Sequence, residues 1–133
     1  MRFVFDTNAL ISAFLWEGSV SQKLLFALSS GGYELFSSQE ILEEFESVLK
    51  RHFSYSAENA SSLRIQAAIV SSLVIPLERV RVVKEDPADD KILECAVASR
   101  SEFVVTYDKH LLKLKEFRGV KIITPEDAFK RLG

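Results

Sequence analysis

Residues 2–8 read Arg2-Phe3-Val4-Phe5-Asp6-Thr7-Asn8, a short apolar strand that ends in an acid and leads into a helical pattern. Open α/β folds bind their ligands outside the carboxyl ends of the parallel strands. Asp6 therefore lies where such a fold would place a functional site. We take it as the first candidate site residue.

Strand-like apolar runs and helix-like periods alternate along the rest of the sequence. We expect strands at residues 2–6, 33–36, 103–106 and 120–123, and at most one more strand with an edge piece in 73–77 and 80–83, because Pro76 interrupts that region. We expect helices at residues 9–15, 19–30, 38–52, 57–72, 89–99 and 110–116 and from Pro125 onward. The helix at 57–72 should bury Leu63, Ala67, Ile69 and Val70. The alternation predicts an α/β fold with a mostly parallel sheet, formed by a single domain over residues 1–133.

The composition indicates one compact domain in a reducing compartment. The chain has 133 residues, of which 47% are hydrophobic, and its 17 basic and 19 acidic residues give a net charge of −2. This balance weighs against a basic protein that coats nucleic acid. The lone cysteine, Cys95, cannot form an internal disulfide, and no apolar stretch approaches the ~18 residues that span a bilayer. We expect a cytoplasmic protein without a membrane segment.

A second acid repeats the position of Asp6. The run Val104-Val105-Thr106-Tyr107-Asp108 is again apolar and ends in a carboxylate. Either acid alone has an ordinary explanation as the N-cap of the helix that follows it. Parallel strands, however, bring their carboxyl ends to one edge of a sheet. We therefore expect Asp6 and Asp108 to lie close together.

The helix expected after Ser38 contributes a third candidate, Glu44. At 100° per residue, Glu44 lies at the edge of the apolar arc, whereas Glu43 and Glu46 point away from it. That arc contains Ile41, Phe45, Val48 and Leu49. A carboxylate that borders the buried face can reach a site at the sheet edge, although a solvated surface acid is the alternative.

Two neighbouring acids open the helix at 89–99. Asp89 lies inside the apolar arc of that helix, which contains Ile92, Leu93, Ala96 and Val97, and Asp90 lies at its border. An inward acid is costly unless something pairs with it. Asp89 is either an N-cap that binds backbone N–H groups or a site residue. Asp86 can serve as the cap instead, which would leave Asp89 available.

Clustered carboxylates are typical of sites that act on phosphate through a metal. Mg²⁺ and Mn²⁺ prefer oxygen ligands, and two such ions ~4 Å apart can activate a water and stabilise a leaving oxygen. This chemistry needs no histidine base, and the only histidines, His52 and His110, lie in no nucleophile–base motif. The sequence also lacks a phosphate loop of the Gly-x-x-x-x-Gly-Lys type and a dinucleotide glycine fingerprint.

Together, four segments in this order resemble the PIN-domain nucleases, and most closely the bacterial and archaeal toxin components of VapC-like toxin–antitoxin pairs. The resemblance covers nearly the whole chain. Its marks are Phe5-Asp6-Thr7-Asn8, the stretch from Ser38 to Leu49 with Glu44, the helix from Asp86-Pro87 through Asp89-Asp90-Lys91 to Ala96, and Val105-Thr106 with Asp108-Lys109 and Leu111.

The resemblance implies a three-layer α/β/α sandwich with a central parallel sheet of about five strands. It also implies an endoribonuclease that depends on Mg²⁺ or Mn²⁺. The family's four metal-binding acids fall on Asp6, Glu44, Asp89 and Asp108, with Asp90 as the alternative for the third. Asn8 and Thr106 match residues that support the ligands.

The resemblance further implies RNA as the substrate, an antitoxin protein that silences the site, and a homodimer. Phe14, Trp16 and Phe53 are candidate contacts in that dimer, although burial in the core is the commoner fate of such residues. Seven basic residues are candidate contacts for RNA phosphates, although ordinary solvated helix faces are the alternative; they are Arg51, His52, Lys109, His110, Lys113, Lys115 and Arg118.

Two other interpretations remain open. The first is a catalytically inactive PIN-like module that binds RNA or protein, and the presence of all four acids argues against it. The second is a metal-dependent phosphomonoesterase. Such enzymes usually carry a second Asp two residues after their nucleophilic Asp, and here that position is Asn8.

Overall fold

The computed structural model describes residues 1–132, which form six strands and seven α-helices. The strands are β1 (Arg2–Phe5), β2 (Glu34–Ser37), β3 (Ser72–Leu73), β4 (Phe103–Val105), β5 (Glu116–Phe117) and β6 (Val120–Ile123). The helices are α1 (Thr7–Leu15), α2 (Val20–Ser30), α3 (Gln39–His52), α4 (Ala57–Ile69), α5 (Asp90–Ser99), α6 (Lys109–Leu112) and α7 (Pro125–Leu132). A single 3₁₀ turn, Pro87–Asp89, precedes α5.

One sheet joins all six strands in the order β3-β2-β1-β4-β6-β5. The first five strands in this order are parallel, and only β5 is antiparallel to its neighbour. Central β1 is covered on both faces, so Phe3, Val4 and Phe5 are all at most 1% exposed. An uninterrupted apolar run suits such a strand. The predicted α/β class with about five parallel strands is confirmed, and β5 is the addition.

Helices cover both faces of the sheet and complete a three-layer sandwich. Helix α5 packs against β1, β2 and β4, while α1 and α2 contact β1 and β2 and pack against each other. Helix α3 lies beside α1 and α4, and α7 lies against α2. No helix within residues 1–132 combines the length and apolar character that crossing a bilayer requires.

The order of the strands places a crevice at the carboxyl ends of β1 and β4. From β1 the chain first builds β2 and β3 on one side, and it then returns to add β4 and β6 on the other. Such a reversal of strand order is where open α/β sheets bind ligands. Phe5 pairs with Val105, and the Asp6 N–H then donates to the Val105 carbonyl at 2.9 Å. The segments that follow β1 and β4 therefore leave the sheet side by side.

The edge piece expected at 80–83 is not a strand. The backbone N–H groups of Val80, Val82 and Val83 donate to the carboxylates of Glu94 and Asp90 rather than to a neighbouring strand. The β-branched pattern instead reflects burial, because Val80 and Val83 are anchored in the core. Of the strand expected at 73–77, only Leu73 lies in a strand, as the second residue of β3 (Ser72–Leu73).

Two helix predictions need correction. Helix α4 ends at Ile69, and its buried residues are Ala60 and Ala67, whereas Ile69 is 76% exposed because the helix packs on α3 and β3 at the border of the domain. Helix α6 ends at Leu112 rather than 116. Lys115 has a left-handed φ of 62° and Gly119 a φ of 84°, so the chain turns into the β5–β6 hairpin.

The aromatic stack under β1 should carry a large share of the stability. Phe3 is fully buried and stacks on Phe103 with centroids 5.2 Å apart. We expect Phe3→Ala to lower the free energy of unfolding by about 3–5 kcal/mol, because it removes a buried ring and leaves a cavity. Urea denaturation followed by circular dichroism measures this loss. Phe26→Ala is the matched control, since Phe26 is 70% exposed on α2; equal losses in the two variants would contradict the expectation.

Candidate metal site

Asp6 joins the end of β1 to the start of α1. Its Oδ1 accepts from the Thr7 N–H at 2.6 Å, and its Oδ2 accepts from the Thr106 hydroxyl at 2.6 Å. Asp6 is only 3% exposed. Its carboxylate caps a helix, as the ordinary explanation expects, and it also faces the crevice beside β4.

Asp108 occupies the equivalent place after β4. Its Oδ1 caps α6 by accepting from the His110 N–H at 2.7 Å, and its own N–H donates to the Thr106 hydroxyl at 2.9 Å. Thr106 is fully buried and lies between the two acids. One threonine hydroxyl therefore joins the Asp6 carboxylate to the backbone of Asp108.

Asp89 is the last residue of the 3₁₀ turn and lines the same crevice. Its side chain forms no capping hydrogen bond with the helix that follows. The Asp86 side chain caps the turn by accepting from the Ala88 N–H at 3.2 Å, so Asp89 is released from that role. The Oδ2 atom of Asp89 is buried and has no hydrogen-bond partner among residues 1–132. Burying a carboxylate oxygen without a partner destabilises the folded protein, and a bound cation would remove that cost.

Asp90 serves a different purpose from its neighbour. Its Oδ1 accepts from the N–H groups of Val82 and Val83 at 3.0 and 2.9 Å, so its side chain holds the loop that precedes the turn. The structure thus separates the two adjacent acids that the helical arc left ambiguous. Asp89 lies in the crevice, and Asp90 faces the loop.

The three aspartates Asp6, Asp89 and Asp108 converge, and one carboxylate oxygen from each lies within 4.8 Å of the others. Burial, together with the charges of Asp6, Asp108 and Asp86, raises the pKa of Asp89 to about 8. Burial also raises the pKa of Asp6 to about 6, although the hydrogen bond from Thr106 opposes the shift. Carboxyl groups crowded in this way favour protonation unless a cation compensates their charge.

Glu44 lines the same cavity from α3 but stands outside this group of three. Its Oε1 accepts from the Thr7 hydroxyl, and its Oε2 accepts from Lys91 Nζ at 2.7 Å. Lys91 also donates to the Ala88 carbonyl at 2.6 Å, which ties α3 to the turn that carries Asp89. The ammonium group of Lys91 was not anticipated from the sequence, because its proximity to Glu44 depends on how α3 and α5 pack.

The crevice also has an aromatic wall, which Trp16 and Phe53 form. A cavity of about 380 Å³ contains the carboxylates and also reaches Trp16 and Phe53. These two rings meet edge to face with centroids 6.0 Å apart, and Trp16 is 51% exposed. Asn8 also lines the cavity, and its Oδ1 accepts from the Tyr107 N–H at 3.2 Å.

The basic residues proposed from the sequence lie elsewhere. None of the seven lines this cavity within the described residues 1–132. Lys113 pairs with Glu85 at 3.3 Å, and Arg118 pairs with Glu78 at 2.8 Å. These two side chains form ordinary solvated ion pairs.

The donor set suits a hard divalent cation. Asp6, Asp89 and Asp108 offer oxygen only, which matches the preference of Mg²⁺ and Mn²⁺ and not that of a metal that selects sulfur. The unpaired Oδ2 of Asp89 supplies the physical reason for a cation in this position. The Thr106 hydroxyl and the Thr7 N–H both donate to Asp6 and fix the orientation of its carboxylate.

Two comparisons with known proteins gave a match. A family model described as PIN domain matches residues 2–110, a span that contains all four acids. The fold also matches a crystal structure of VapBC2 from Rickettsia felis bound to a DNA fragment from their promoter. That match has a TM-score of 0.69 and 16% sequence identity, and it covers 92% of this chain and 97% of that chain. At this identity the likeness concerns the fold alone. No curated protein matches the sequence.

The raised pKa values should make the metal-free protein less stable as the pH rises. A carboxyl whose pKa is higher in the folded chain binds more protons when folded, so its contribution is present at low pH and is lost as the pH rises through the folded value. The window runs from about 4, the pKa of an unfolded aspartate, to about 8, the pKa of Asp89. We therefore expect Asp89→Asn to raise the free energy of unfolding at pH 8 by about 1–3 kcal/mol, and by much less at pH 4.

Urea titrations in EDTA at both pH values measure this effect. Asp127→Asn is the control, because Asp127 is exposed at the start of α7. Equal behaviour of the two variants, or destabilisation by Asp89→Asn at pH 8, would contradict the assignment of unfavourable charge to Asp89.

Proposed function

Because the chain belongs to the PIN domain family, we propose that it is an endoribonuclease that depends on Mg²⁺ or Mn²⁺ and cuts RNA phosphodiester bonds. One observation carries this proposal: three aspartates converge at the carboxyl ends of parallel strands, and one of them has a buried oxygen without a partner. Glu44 is the fourth acid of the proposed site. The family relation supports nuclease chemistry, and the acids supply a place for it.

A divalent ion bound here would supply an activated water and would stabilise charge on the scissile phosphate. The residues of the chain orient what it acts on. Thr106 holds the Asp6 carboxylate at 2.6 Å and keeps Asp108 beside it through the Asp108 N–H at 2.9 Å. The Thr106 hydroxyl restricts the Asp6 carboxylate, and the His110 N–H restricts the Asp108 carboxylate at 2.7 Å, so both acids would need little rearrangement to meet an ion.

Glu44 and Lys91 set the charge on the other side of the cavity. Lys91 Nζ lies 2.7 Å from Glu44 Oε2, so it offsets one negative charge where a phosphate would enter. The Thr7 hydroxyl holds the other oxygen of Glu44. We propose that this pair lowers the repulsion between the acidic site and the RNA backbone while keeping Glu44 within reach of the site.

The aromatic wall supports a single-stranded substrate. Trp16 and Phe53 share the cavity with the acids, and unpaired bases can stack on exposed rings at about 1–3 kcal/mol per base. A paired base in a duplex has no free face to offer. Our proposed substrate is therefore single-stranded or looped RNA.

An antitoxin and a second copy are proposed partners. The structural neighbour from Rickettsia felis is a VapBC2 complex with promoter DNA, and on that analogy we propose that this chain is a cytoplasmic toxin silenced by an antitoxin. A homodimer is proposed as well. Phe14 is a poor contributor to it because it packs against Phe45 with centroids 5.8 Å apart.

Two alternatives have less support. An inactive PIN-like module that binds RNA or protein would not need to keep an unpaired, destabilising carboxylate such as that of Asp89. A phosphomonoesterase has no obvious use for Trp16 and Phe53 beside the acids, since a small phosphate ester offers no base to stack.

The decisive test is cleavage of a mixed single-stranded RNA pool with Mg²⁺, with Mn²⁺ and with EDTA. We expect metal-dependent cutting by the wild type and at least a hundredfold slower cutting by Asp6→Asn and Asp89→Asn, because each variant loses a charged ligand. Asp127→Asn is the matched control and should cut like the wild type. Circular dichroism checks folding.

Other results would redirect the assignment. RNA binding without cutting under any metal, in protein free of bound inhibitor, would favour the inactive module. Faster hydrolysis of a small aryl phosphate than of RNA would favour the phosphomonoesterase. If Asp89→Asn and Asp127→Asn lowered the rate of RNA cleavage equally, the proposed site would be rejected.

The aromatic wall gives a separate prediction. We expect Trp16→Ala to raise the KM for single-stranded RNA about tenfold, because it removes stacking worth roughly 1–3 kcal/mol, with a smaller change in kcat. Steady-state cleavage measures both constants. Phe26→Ala is the control, since Phe26 is exposed on α2 away from the cavity. An unchanged KM in Trp16→Ala would remove the ring from the substrate path.

A further inference from the structure

A second cavity, larger than the first, lies beside the candidate metal site. Its volume is about 630 Å³. Four basic residues line it, Arg79, Arg81, Lys84 and Lys91, together with three acidic ones, Glu40, Asp90 and Glu94. We call it the basic groove and define it by these four residues. None of the four belongs to the basic set proposed from the sequence.

Two buried carboxylates on α5 hold the loop of this groove in place. Asp90 accepts from the N–H groups of Val82 and Val83, and Glu94, one helical turn later, accepts from the Val80 N–H at 2.8 Å. Glu94 is only 6% exposed. The loop is therefore fixed by hydrogen bonds and by the burial of Val80 and Val83, although it has no regular secondary structure.

This anchoring turns the basic side chains outward. Val80 and Val83 face the core, so the intervening and flanking residues Arg79, Arg81 and Lys84 are exposed. Arg79 is held by Glu40 and Glu94 at 3.2 Å each, and Lys91 by Glu44 at 2.7 Å. Within residues 1–132, Arg81 and Lys84 form no salt bridge. Two cations of the groove are thus available for a ligand.

The groove and the metal site share a wall. Pro87 and Ala88 of the 3₁₀ turn line the groove, and Asp86 and Asp89 of the same segment line the acidic cavity. Lys91 lines the groove while it binds Glu44 of the acidic cavity. A strand that crosses the turn would pass directly from one cavity into the other.

We propose that the basic groove binds backbone phosphates of the RNA strand next to the phosphate that is cut. The inference rests on the proposed function and extends it, because it assigns substrate-binding roles to Arg81 and Lys84. Phosphate is the fitting ligand for several reasons. The available groups are cationic, the buried carboxylates of Asp90 and Glu94 are already satisfied by backbone N–H groups, and the groove adjoins a site that itself repels RNA.

Scattered surface lysines would not have these properties. An ordinary solvated face needs no buried carboxylates beneath it, and its cations need not surround a concavity. Here the carboxylates of Asp90 and Glu94 accept hydrogen bonds from backbone N–H groups and so fix a short loop beside the site. The arrangement keeps Arg81 and Lys84 on one side of a fixed concave surface.

The test measures how RNA binding depends on salt. The background is Asp6→Asn with Mg²⁺, in which we expect cutting to be too slow to affect a binding titration, and the probe is a fluorescein-labelled single-stranded RNA oligonucleotide. The double variant Arg81→Gln/Lys84→Gln removes two charges from the groove. Two lost phosphate contacts should reduce the slope of log K against log salt by about 1.4, because each contact to a single strand contributes about 0.7.

Lys23→Gln/Lys130→Gln is the matched control. Both lysines are exposed, on α2 and α7, and line neither cavity. We expect this pair to keep the slope of the background. In the protein with an intact Asp6, the groove variant should raise the KM for RNA more than it lowers kcat, which separates substrate binding from chemistry.

Three results would overturn the proposal. If the background and the groove variant had equal slopes of log K against log salt, Arg81 and Lys84 would make no contact with RNA phosphates. If the groove and control variants reduced this slope equally, the effect would be one of net charge only. The third result uses a second probe, a fluorescein-labelled oligo-glutamate peptide that stands for an acidic protein partner. If the groove variant loses binding of this peptide while its RNA binding is unchanged, the groove belongs to such a partner.

The experiment also distinguishes failure of the groove proposal from failure of the proposed nuclease function. Wild-type cleavage of RNA combined with an unchanged slope in the groove variant would reject the groove and keep the nuclease. A reduced slope in a protein that never cuts RNA would keep the groove as a binding surface and reject the nuclease.

Discussion

The parallel pairing of β1 with β4 brings Asp6 beside Thr106, and the Thr106 hydroxyl links Asp6 to the backbone of Asp108. This pairing exists because β1 lies at the centre of the sheet and is apolar on both faces. Asp89 then enters the crevice from the start of α5, which packs against the same strands. The like charges are thus forced together by the packing of the core, and the stability of that core offsets their repulsion.

Three acids in the first turns of α5 and just before it have two different roles. Asp89 faces the crevice with an unpaired oxygen, while Asp90 and Glu94 bind the backbone of the loop over residues 80–83. The two structural acids are satisfied, so burial of their charge is compensated. Of the three acids, only Asp89 has a buried carboxylate oxygen without a hydrogen-bond partner within residues 1–132. This contrast separates Asp89 from the structural acids beside it, and it supports the proposed metal site.

Short-range patterns predicted the main elements correctly and missed those that depend on distant partners. The runs ending at Asp6 and before Asp108 are strands, and the alternation of elements led to the α/β class, which is confirmed. The four segments that resemble the PIN domain led to the family, which is confirmed as well. The prediction of an edge strand at 80–83 was wrong, because N–H groups of this segment donate to side chains of α5. The β-propensity of a sequence does not describe such partners. Ile69 was expected inside, and it is exposed because α4 is covered only by its neighbours at the edge of the domain.

By itself, the sequence determined the class of fold and the positions of Asp6 and Asp108 after two apolar strands, because these follow from local periodicity and from residue types along the chain. The family followed from the resemblance of four segments to the PIN domain. The sequence could not decide between Asp89 and Asp90, since one helical arc admits both. Nor could it show Lys91 against Glu44 or the basic groove beside the acids. Those features are contacts between segments far apart in the chain. Only the packing of α3, α5 and the loop before it against one another fixes them.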